Sequence, residues 1–592
     1  MSAALDRAAE RAGILLEPRW GGAPPLPDST KEALVALLGD GPPPASAKPA
    51  AQDAAFVPPF LDETRIFGVA LQLYQLRSPR NLGIGDLADL RALLVPLARQ
   101  GVDVVGLNPL HALFTAAPER ASPFSPSDRR FLNPLVIAVE DVPGYQADMR
   151  RRVFVPGAQD SIDYTAVAAA KLSILREIHA RWRARDPGVP AIAHQAAARH
   201  RSEGGAALEA FALFEALSHQ MVRDGHGAGW RGWPAAYQQR HSAEVRAFRE
   251  AHAGEIAFHA FLQFIAAEQL RATQEAAREA GMRIGLYLDL AVGAAPDGAS
   301  TWADPDLVLR GIRVGAPPDL FTADGQDWGL APLSPATLRS RDFAPYRAIL
   351  SAVMAHAGAT RIDHAMGLER LFLIPDGIPT IEGAYVRMDG LIDVLVAESH
   401  RNGALAIGED LGVVPPGFRE RMASRRIFST RILPFERDGV LMRPPARYPV
   451  DSLACLSTHD IAPLEAWWQG DDIAIRKAIG HLRPTDTIAA RNGRREEKAL
   501  MCALAGLPPT AAARALTDDI VVAFHRVAAR SRSSMVAVRL EDVVGGRRLV
   551  NLPGTDREHP NWRNTLPLTV ADIGRSERLA RTLAAMRAER PR

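Results

Sequence analysis

Acidic side chains stand at the ends of four apolar runs in this sequence. LYLDLAVG carries Asp289, TRIDHAMG carries Asp363, AIGEDLG carries Glu409 and Asp410, and LSTHD carries Asp460. A single acid at a strand end is usually a helix cap or the partner of an arginine. Acids at four such ends in one chain indicate a shared carboxylate cluster, which suits metal binding or acid/base chemistry on a glycosidic bond.

The neighbouring residues bear on the choice between these two chemistries. The chain has no H-E-x-x-H and no D-x-D-x-D-G segment, so a metal-dependent hydrolase is the weaker alternative. Glycoside chemistry needs one ionised carboxylate and one carboxyl group with a raised pKa. We expect Arg361, two residues before Asp363, to help keep that aspartate charged, because an adjacent cation lowers the pKa of a carboxylate. Glu409, which lies among apolar neighbours, is the better candidate for the protonated partner.

These acids need a scaffold that brings the strand ends together. Eight short apolar runs have the length of strands: 67–74, 102–109, 282–292, 360–366, 404–411, 427–435, 452–460 and 535–542. Most are continuous rather than alternating, which predicts strands covered on both faces in a parallel sheet. Helical patterns lie between several of them, so we predict an α/β fold of the (β/α)₈ TIM-barrel type with large helical insertions and a short N-terminal extension. An open doubly wound sheet stays as the alternative.

The barrel prediction divides the chain. Residues 39–60 are rich in Pro and Ala and predict a linker, so residues 1–62 are expected to form a short helical N-terminal extension ending in that linker. Residues 63–592 are expected to form the catalytic barrel. Residues 143–258 favour helices and are too long for a minimal barrel connection, which predicts an inserted helical subdomain.

Composition narrows the class of protein. The chain has 70 Lys and Arg against 68 Asp and Glu, a net charge of +2, so no nucleic-acid partner is expected. The charged N-terminus and the lack of a long apolar stretch predict a cytoplasmic protein without a membrane partner. Cys455 and Cys502 lie far apart, which predicts free thiols rather than a disulfide or a zinc cluster.

Two loops are also informative. Residues 315–335 combine Pro, Gly and polar residues with Trp328, which fits either a flexible binding loop or a structural excursion with the tryptophan packed inward. The GIG sequence within 80–90 lacks the other residues of a phosphate-binding loop. We interpret it as a turn into a helix capped by Asp86.

Several longer segments carry a resemblance to a known family. They include ALQLYQLRSPRNLGIGDLADL, SPFSPSDRRFLNPLVI, VGAPPDLFTADGQDWGLAPLSP, RIDHAMGLERLFLIPDGIPTIEGAYVRM, AIGEDLGVVPPGF, STHD and VNLPGTDREHPNWR. In this order, from about residue 65 to 565, they resemble the 4-alpha-glucanotransferases called amylomaltases or disproportionating enzymes, of the bacterial maltodextrin-utilisation type. The resemblance implies a (β/α)₈ barrel and a retaining double displacement. It also implies a maltodextrin (1,4-alpha-glucan) substrate and a sugar acceptor.

The resemblance assigns roles to individual residues. Asp363 would be the nucleophile, Glu409 the general acid/base and Asp460 the stabiliser that holds sugar hydroxyls. It implies a substrate-binding set of Asp289, Arg361, His364, His459, Gln326, Trp328, Asn551 and Ser78. Asp410 would be structural, and no metal or organic cofactor is implied.

Two departures from the family pattern and two further readings remain. Many relatives carry an aromatic residue where this chain has Leu82, which leaves its chain-length preference open. The longer relatives place a β-rich domain before the barrel, which this chain is predicted to lack. A glucan hydrolase on the same scaffold is one alternative function. A catalytically silent carbohydrate-binding protein is another, which the joint presence of Asp363, Glu409 and Asp460 disfavours. The oligomeric state is not predicted.

Overall fold

The fold is seen in a computed structural model that describes residues 2–39, 52–155, 160–318, 322, 324–555 and 558–592. Most of the predicted linker, residues 40–51, lies outside the described residues, as does part of the predicted binding loop.

Eight parallel strands in the described residues close into a barrel. They are β1 (Ile66–Leu71), β2 (Val104–Leu107), β3 (Gly285–Leu290), β4 (Ala359–Ile362), β5 (Leu405–Gly408), β6 (Phe428–Ile432), β7 (Ser452–Cys455) and β8 (Met535–Arg539). Each pairs with its neighbours in chain order, and β8 pairs with β1. The TIM-barrel prediction is therefore confirmed, and the open doubly wound sheet is excluded. Each of the eight predicted runs overlaps one barrel strand, and the first residues of β1 and β4 lie one position before their runs.

Helices cover the outside of the barrel and form the insertions. The α-helices of the described residues are Ser2–Arg11, Asp28–Leu38, Leu87–Arg99, Ala147–Arg151, Tyr164–Arg183, Ala191–Arg223, Ala235–Gln238, Ala243–Ala251, Ala253–Glu279, Ala299–Ala303, Pro335–Ser340, Ala344–Met354, Leu391–Asn402, Phe418–Ser424, Leu464–Gln469, Asp471–Ala478, Pro484–Leu504, Asp518–Ala529, Leu540–Val544, Val570–Ile573 and Glu577–Glu589. Among these residues, no helix combines the length and the apolarity needed to cross a lipid bilayer.

The barrel strands consist mostly of apolar residues because both of their faces are buried, although Phe428–Ile432 also contains Ser429, Thr430 and Arg431. Side chains such as Ile66, Val104, Ile407 and Phe428 fill the barrel interior. The alternate strand residues pack outward against the surrounding helices. This two-sided burial explains the continuous apolar runs and leaves the strand ends as the places where polar side chains are gathered.

A second, antiparallel sheet lies outside the barrel. Its strands, in sheet order, are Ala384–Arg387, Arg370–Pro375, Ile312–Ala316 and Gln326–Leu330. The prediction of a loop over 315–335 is therefore wrong in part. The segment begins inside the strand Ile312–Ala316, and it contains the whole strand Gln326–Leu330. The segment lacks the alternating pattern of a half-buried strand, so its sequence resembles a loop.

The other connections also depart from an ideal barrel. Between β6 and β7 the chain forms a small hairpin, Arg437–Asp438 with Leu441–Met442, and no α-helix.

After β1, the predicted turn leads into the helix Leu87–Arg99, where the Asp86 side chain accepts hydrogen bonds from Ala88 N and Asp89 N. The predicted helix cap at Asp86 is therefore confirmed.

The N-terminal residues pack on the antiparallel sheet. Leu15 N donates to Tyr385 O at 2.9 Å. The buried Arg19 Nη1 donates to Ile381 O and Gly383 O, at 3.0 and 2.9 Å. These contacts connect the predicted extension to a sheet that lies beside the barrel mouth.

Candidate active site

Three adjacent strands deliver the central charged residues. In the register, Asp289 on β3 lies beside Arg361 on β4, and Ile362 on β4 lies beside Gly408 on β5. The next residue along each of these last two strands is Asp363 and Glu409. Neighbouring strands lie about 4.8 Å apart, so the barrel brings these two acids together from positions that are distant in sequence.

Arg361 is shared by two carboxylates. Its Nη1 lies 2.8 Å from both carboxylate oxygens of Asp289 and 3.0 Å from Asp363 Oδ1. Burial raises the pKa of Asp289 to about 6, although Arg361 opposes this shift. Burial also raises the pKa of Asp363, and Arg361 again opposes it. The predicted effect of Arg361 on Asp363 is confirmed, since Arg361 acts to lower the pKa of that carboxyl group, but burial outweighs it and the net pKa is raised.

Glu409 is held mainly by backbone groups. Its Oε2 accepts from His364 N at 3.0 Å, and its Oε1 accepts from Leu411 N at 2.7 Å. Burial raises the pKa of Glu409 to about 7, and the charge of Asp363 adds to the shift, while Arg361 opposes it. Near neutral pH the group therefore exchanges a proton readily, as predicted for the partner acid.

The neighbouring Asp410 has a different environment. It is fully buried, and its Oδ1 accepts from Thr430 N at 2.8 Å. Its Oδ2 accepts from Arg419 Nε at 2.7 Å and from Arg431 Nη2 at 3.2 Å. Because its acceptors are used in joining β5 to β6 and to the following helix, Asp410 stabilises the barrel rim, in line with a structural role.

Asp460 lies on the loop after β7. Its Oδ1 accepts from Asn551 Nδ2 at 2.6 Å, and its Oδ2 lies 3.3 Å from His459 Nε2. Partial desolvation in the cleft acts to raise the pKa of Asp460, whose side chain is 44% exposed, but His459 and the Asn551 hydrogen bond hold that pKa well below its usual range. Conversely, burial acts to lower the pKa of His459, and Asp460 raises it above its ordinary value. Asp460 is therefore kept ionised.

Two aromatic residues that the sequence analysis did not single out frame His459. Phe124 stacks on its ring with centroids 4.7 Å apart, and the Trp562 ring lies 5.4 Å away. These side chains come from the segments after β2, β7 and β8, so no local spacing connects them. Both lie in segments that carry the family resemblance, SPFSPSDRR and HPNWR, and this was the only available signal.

The antiparallel sheet brings Trp328 to the site. Its ring meets His364 edge-on at 5.0 Å, and its Nε1 lies 3.2 Å from Gln326 Oε1. Burial lowers the pKa of His364 to about 4, so its ring is neutral. His364 has φ of 47°, a left-handed backbone conformation that turns its own N–H toward Glu409.

Ser78 and Leu82, in the segment after β1, contact groups of the protein itself. The Ser78 hydroxyl donates to Asp89 Oδ1 at 2.6 Å, in the first turn of the helix Leu87–Arg99. Leu82 is buried and packs with residues of the inserted helices, among them Leu175. A side chain at position 82 thus points into the protein, and substrate binding by Ser78 stays a prediction.

A cavity of about 60 Å³ lies at the mouth, lined in part by Gln72, Asp289, Arg361, His459 and Arg539. Among the described residues, no three His, Cys, Asp or Glu side chains are grouped as metal ligands. The arrangement offers one carboxyl group that can hold a proton near neutral pH and a second carboxylate beside it on the next strand. Such a pair can cleave and form glycosidic bonds.

The chain is similar to known proteins in sequence and in fold. A family model described as 4-alpha-glucanotransferase matches residues 71–569. A Mycobacterium tuberculosis protein named 4-alpha-glucanotransferase is 37% identical over 565 residues, covering 90% of this chain and 76% of the relative. A Haemophilus influenzae protein of the same name is 36% identical over 554 residues, covering 89% of this chain and 79% of the relative.

Solved structures agree with these matches. The amylomaltase from Corynebacterium glutamicum superposes with a TM-score of 0.78 at 30% identity, covering 89% of this chain and 76% of that one. The amylomaltase from Streptococcus agalactiae, solved with acarbose, gives a TM-score of 0.71 at 17% identity, covering 88% and 98%. At that identity the second match supports the fold only.

Proposed function

The chain belongs to the 4-alpha-glucanotransferase family, and on that premise we propose that it moves a segment of a 1,4-alpha-glucan to glucose or to another 1,4-alpha-glucan. The observation that carries this proposal is the pairing of Asp363 and Glu409 on adjacent strands, with Glu409 bound to the backbone N–H of His364. Retaining enzymes need their two carboxyl groups only about 5 Å apart, which is close to the strand spacing.

The first step forms a covalent glycosyl-enzyme. A carboxylate oxygen of Asp363 attacks the anomeric carbon of the donor glucan, and the bond from that carbon to the glycosidic oxygen breaks. Glu409 gives its proton to the departing oxygen, which leaves as the hydroxyl of the shortened glucan. A pKa of about 7 supports this role, because a substantial fraction of Glu409 is protonated near neutral pH.

The second step reverses these roles. The Glu409 carboxylate takes the proton of an acceptor hydroxyl, whose oxygen attacks the anomeric carbon and releases Asp363. One glycosidic bond is broken and one is formed, with retention of the anomeric configuration. Because the bond energies nearly balance, the enzyme redistributes chain lengths.

Asp460 and Arg361 stabilise the reacting groups. The ionised Asp460, oriented by Asn551 and His459, accepts hydrogen bonds from sugar hydroxyls next to the anomeric carbon. These bonds strengthen as positive charge develops on the sugar ring. Arg361 keeps Asp363 oriented and favours its ionised form against the effect of burial.

Transfer also requires that water be kept from the covalent intermediate. Gln326 and Trp328 lie at one side of the site, where Trp328 packs on His364, the residue beside Asp363. An apolar ring at this place excludes water and gives an acceptor sugar a surface to pack against. We assign Gln326 and Trp328 to the acceptor side on this basis.

The proposal extends to the layout of the chain and its location. We propose that residues 1–62 form an N-terminal extension of the catalytic barrel (63–592) and that 143–258 form a helical subdomain inserted into it. The packing of Leu15 and Arg19 on the antiparallel sheet supports the first part. The cytoplasmic location stays a prediction.

Incubation of the purified protein with maltotriose, and nothing else, tests the function. Glucose together with a ladder of maltodextrins longer than maltotriose is the expected result. Glucose and maltose without longer products would instead identify a hydrolase. Binding of glucan without any change in its length would identify a carbohydrate-binding protein. Addition of a chelator is expected to leave the product pattern unchanged.

A further inference from the structure

Arg539, the last residue of β8, holds the loop that carries Asp460. Its Nη1 donates to Thr458 O and to Ile461 O, both at 2.6 Å. These two carbonyl groups flank His459 and Asp460 in the chain. The side chain is buried at 5% exposure, so the two hydrogen bonds form away from water, where they are strongest.

Asp542, three residues after the end of β8, also forms hydrogen bonds with this loop. Asp542 Oδ2 accepts from Ser457 Oγ at 2.7 Å, and its Oδ1 accepts from Leu464 N at 2.7 Å. The loop between Cys455 and Leu464 is thus fixed from outside at both of its ends and, through Arg539, at its centre. It contains neither strand nor α-helix, so these side-chain contacts replace the backbone ladder that fixes Asp363 and Glu409.

The geometry around Arg539 is costly. Its Nε and Nη2 atoms are buried and make no hydrogen bond within the described part of the protein, and the guanidinium forms a buried ion pair with Glu541, whose Oε2 lies 3.4 Å from Nε. A buried charged pair with some of its hydrogen-bonding atoms unused costs stability, so the presence of Arg539 here calls for an explanation. Arg539 also lines the cavity shared by Asp289, Arg361 and His459.

We propose that Arg539 and Asp542 are positioning residues for the transfer reaction, which set the Ser457–Ile461 loop so that Asp460 meets the sugar hydroxyls. This inference rests on the proposed function and deepens it. Neither residue exchanges a proton with the glucan. Each acts through Asp460, and removal of either is therefore expected to matter only while Asp460 is present.

Arg590 offers a matched control. It is also buried, at 2% exposure, and its guanidinium donates to Ala529 O at 2.8 Å and to Ile66 O at 2.9 Å. It therefore caps backbone carbonyls as Arg539 does, but at the start of β1, on the opposite end of the barrel. Arg590→Met removes the same chemistry without touching the site.

The test is a double-mutant cycle. Transfer from maltotriose is measured for Arg539→Met, Asp460→Asn and the double variant, with each rate divided by the fraction of folded enzyme. Arg539→Met is expected to lower kcat about 100-fold, as a displacement of about 1 Å can do, with a much smaller change in KM. The double variant is expected to lie within about threefold of Asp460→Asn, because the two losses share one cause. Arg590→Met is expected to leave the corrected kcat nearly unchanged, and any effect should multiply with that of Asp460→Asn.

Each other outcome is decisive. Losses that multiply for Arg539→Met and Asp460→Asn, or a wild-type kcat in Arg539→Met, would overturn the positioning role while the transfer activity stands. Absence of transfer in the wild type would overturn the proposed function itself. If Arg539→Met does not fold, the cycle is run with Ser457→Ala, which removes one hydroxyl and no buried charge. There, too, multiplied losses would overturn the proposal, and a shared loss would support it. Arg539→Lys, which keeps a donor, should recover part of the rate.

Discussion

The two ends of the barrel hold buried acids in opposite surroundings. At the entry to β2, Asp103 is buried and binds Arg283 through both oxygens, each at 2.8 Å, and Arg592 at 3.0 Å. At the catalytic end, Arg361 is shared by Asp289 and Asp363. There the third acid of the group, Glu409, has the backbone donors described above. The first end therefore has one acid with two arginines, whereas the catalytic end has this group of three acids with one arginine.

This difference shows where the fold accepts a cost. At the first end, the buried Asp103 is fully paired with Arg283 and Arg592, which reach it from the surface and hold the start of β2 in place. At the other end, burial without enough positive charge raises the pKa of Asp289, Asp363 and Glu409. Crowded carboxyl groups with raised pKa values destabilise a fold but suit acid/base catalysis. The net charge of the chain, near zero, conceals this uneven distribution.

The largest expected effect comes from removal of the paired acids. Asp363→Asn takes away the proposed nucleophile, and we expect transfer from maltotriose to fall by roughly four orders of magnitude or more. Glu409→Gln cannot donate a proton, and we expect a loss of about 10²–10⁴-fold. Product chromatography over time measures both rates.

Asp103→Asn is the control at the other end of the barrel. It removes a buried charge of the same type, so it is expected to lower stability and leave the transfer rate per folded molecule nearly unchanged. A wild-type rate in Asp363→Asn, or a large rate loss in Asp103→Asn, would contradict the contrast between the two ends.

Arginine removal tests the same contrast through stability. Arg361→Met leaves the buried Asp289 and the partly buried Asp363 without the cation that is hydrogen-bonded to both, which is expected to cost roughly 3–5 kcal/mol in the free energy of unfolding at neutral pH. Arg283→Met leaves Asp103 with Arg592 and is expected to cost less, about 1–3 kcal/mol. Urea unfolding at pH 8 and pH 5 measures the loss of unfolding free energy in each of the two variants.

The pH dependence sharpens this test. Without Arg361 the two acids are expected to take up protons as the pH falls, because a neutral carboxyl group is less costly to bury. The loss caused by Arg361→Met should therefore shrink between pH 8 and pH 5. Equal losses in both variants, unchanged with pH, would mean that the catalytic end is paired as fully as the other.

The proton on Glu409 provides a third and smaller test. Its pKa of about 7 in the folded protein lies above the ordinary 4.5, so the folded state binds more protons between these values. Stability from this group is complete below pH 4.5 and is lost as the pH rises through 7, by at most about 3 kcal/mol. Glu409→Gln has no such group to titrate. The difference in unfolding free energy between this variant and the wild type should therefore shift in favour of the variant as the pH rises to 8.

The transfer rate should follow the same proton. The ratio kcat/KM reports the free enzyme, so it is expected to fall about tenfold per pH unit once Glu409 loses its proton above about pH 7. Asp289, with a pKa raised to about 6 by burial, titrates nearby. Asp289→Asn distinguishes the two, because it should leave the alkaline limb in place. Stability curves of wild type and Glu409→Gln that run parallel with pH would refute the assignment.

The sequence was sufficient for the barrel and for the acids, for a physical reason. Every barrel strand is buried on both faces, so most of them lie in continuous apolar runs, and Asp363 and Glu409 directly follow the ends of two of these strands. The net pKa direction of Asp363 could not be predicted because desolvation depends on what the folded chain places around it. Phe124 and Trp562 reach His459 from separate loops, and no local pattern records that meeting.

The antiparallel sheet could be predicted least well, and it supplies the smallest expected effect. Its strand Gln326–Leu330 carries Trp328 onto His364, so the catalytic end is covered by an apolar ring beside its excess of acids. Trp328→Ala opens this cover, and water should then compete better with a sugar for the covalent intermediate. The ratio of free glucose released by hydrolysis to glucose units transferred is expected to rise about three- to tenfold, while donor cleavage changes little. Trp328→Phe keeps an apolar ring and should stay near the wild type. If Trp328→Ala leaves the ratio unchanged, water must be excluded by other groups, and the catalytic end would differ from the other end of the barrel in its charges alone.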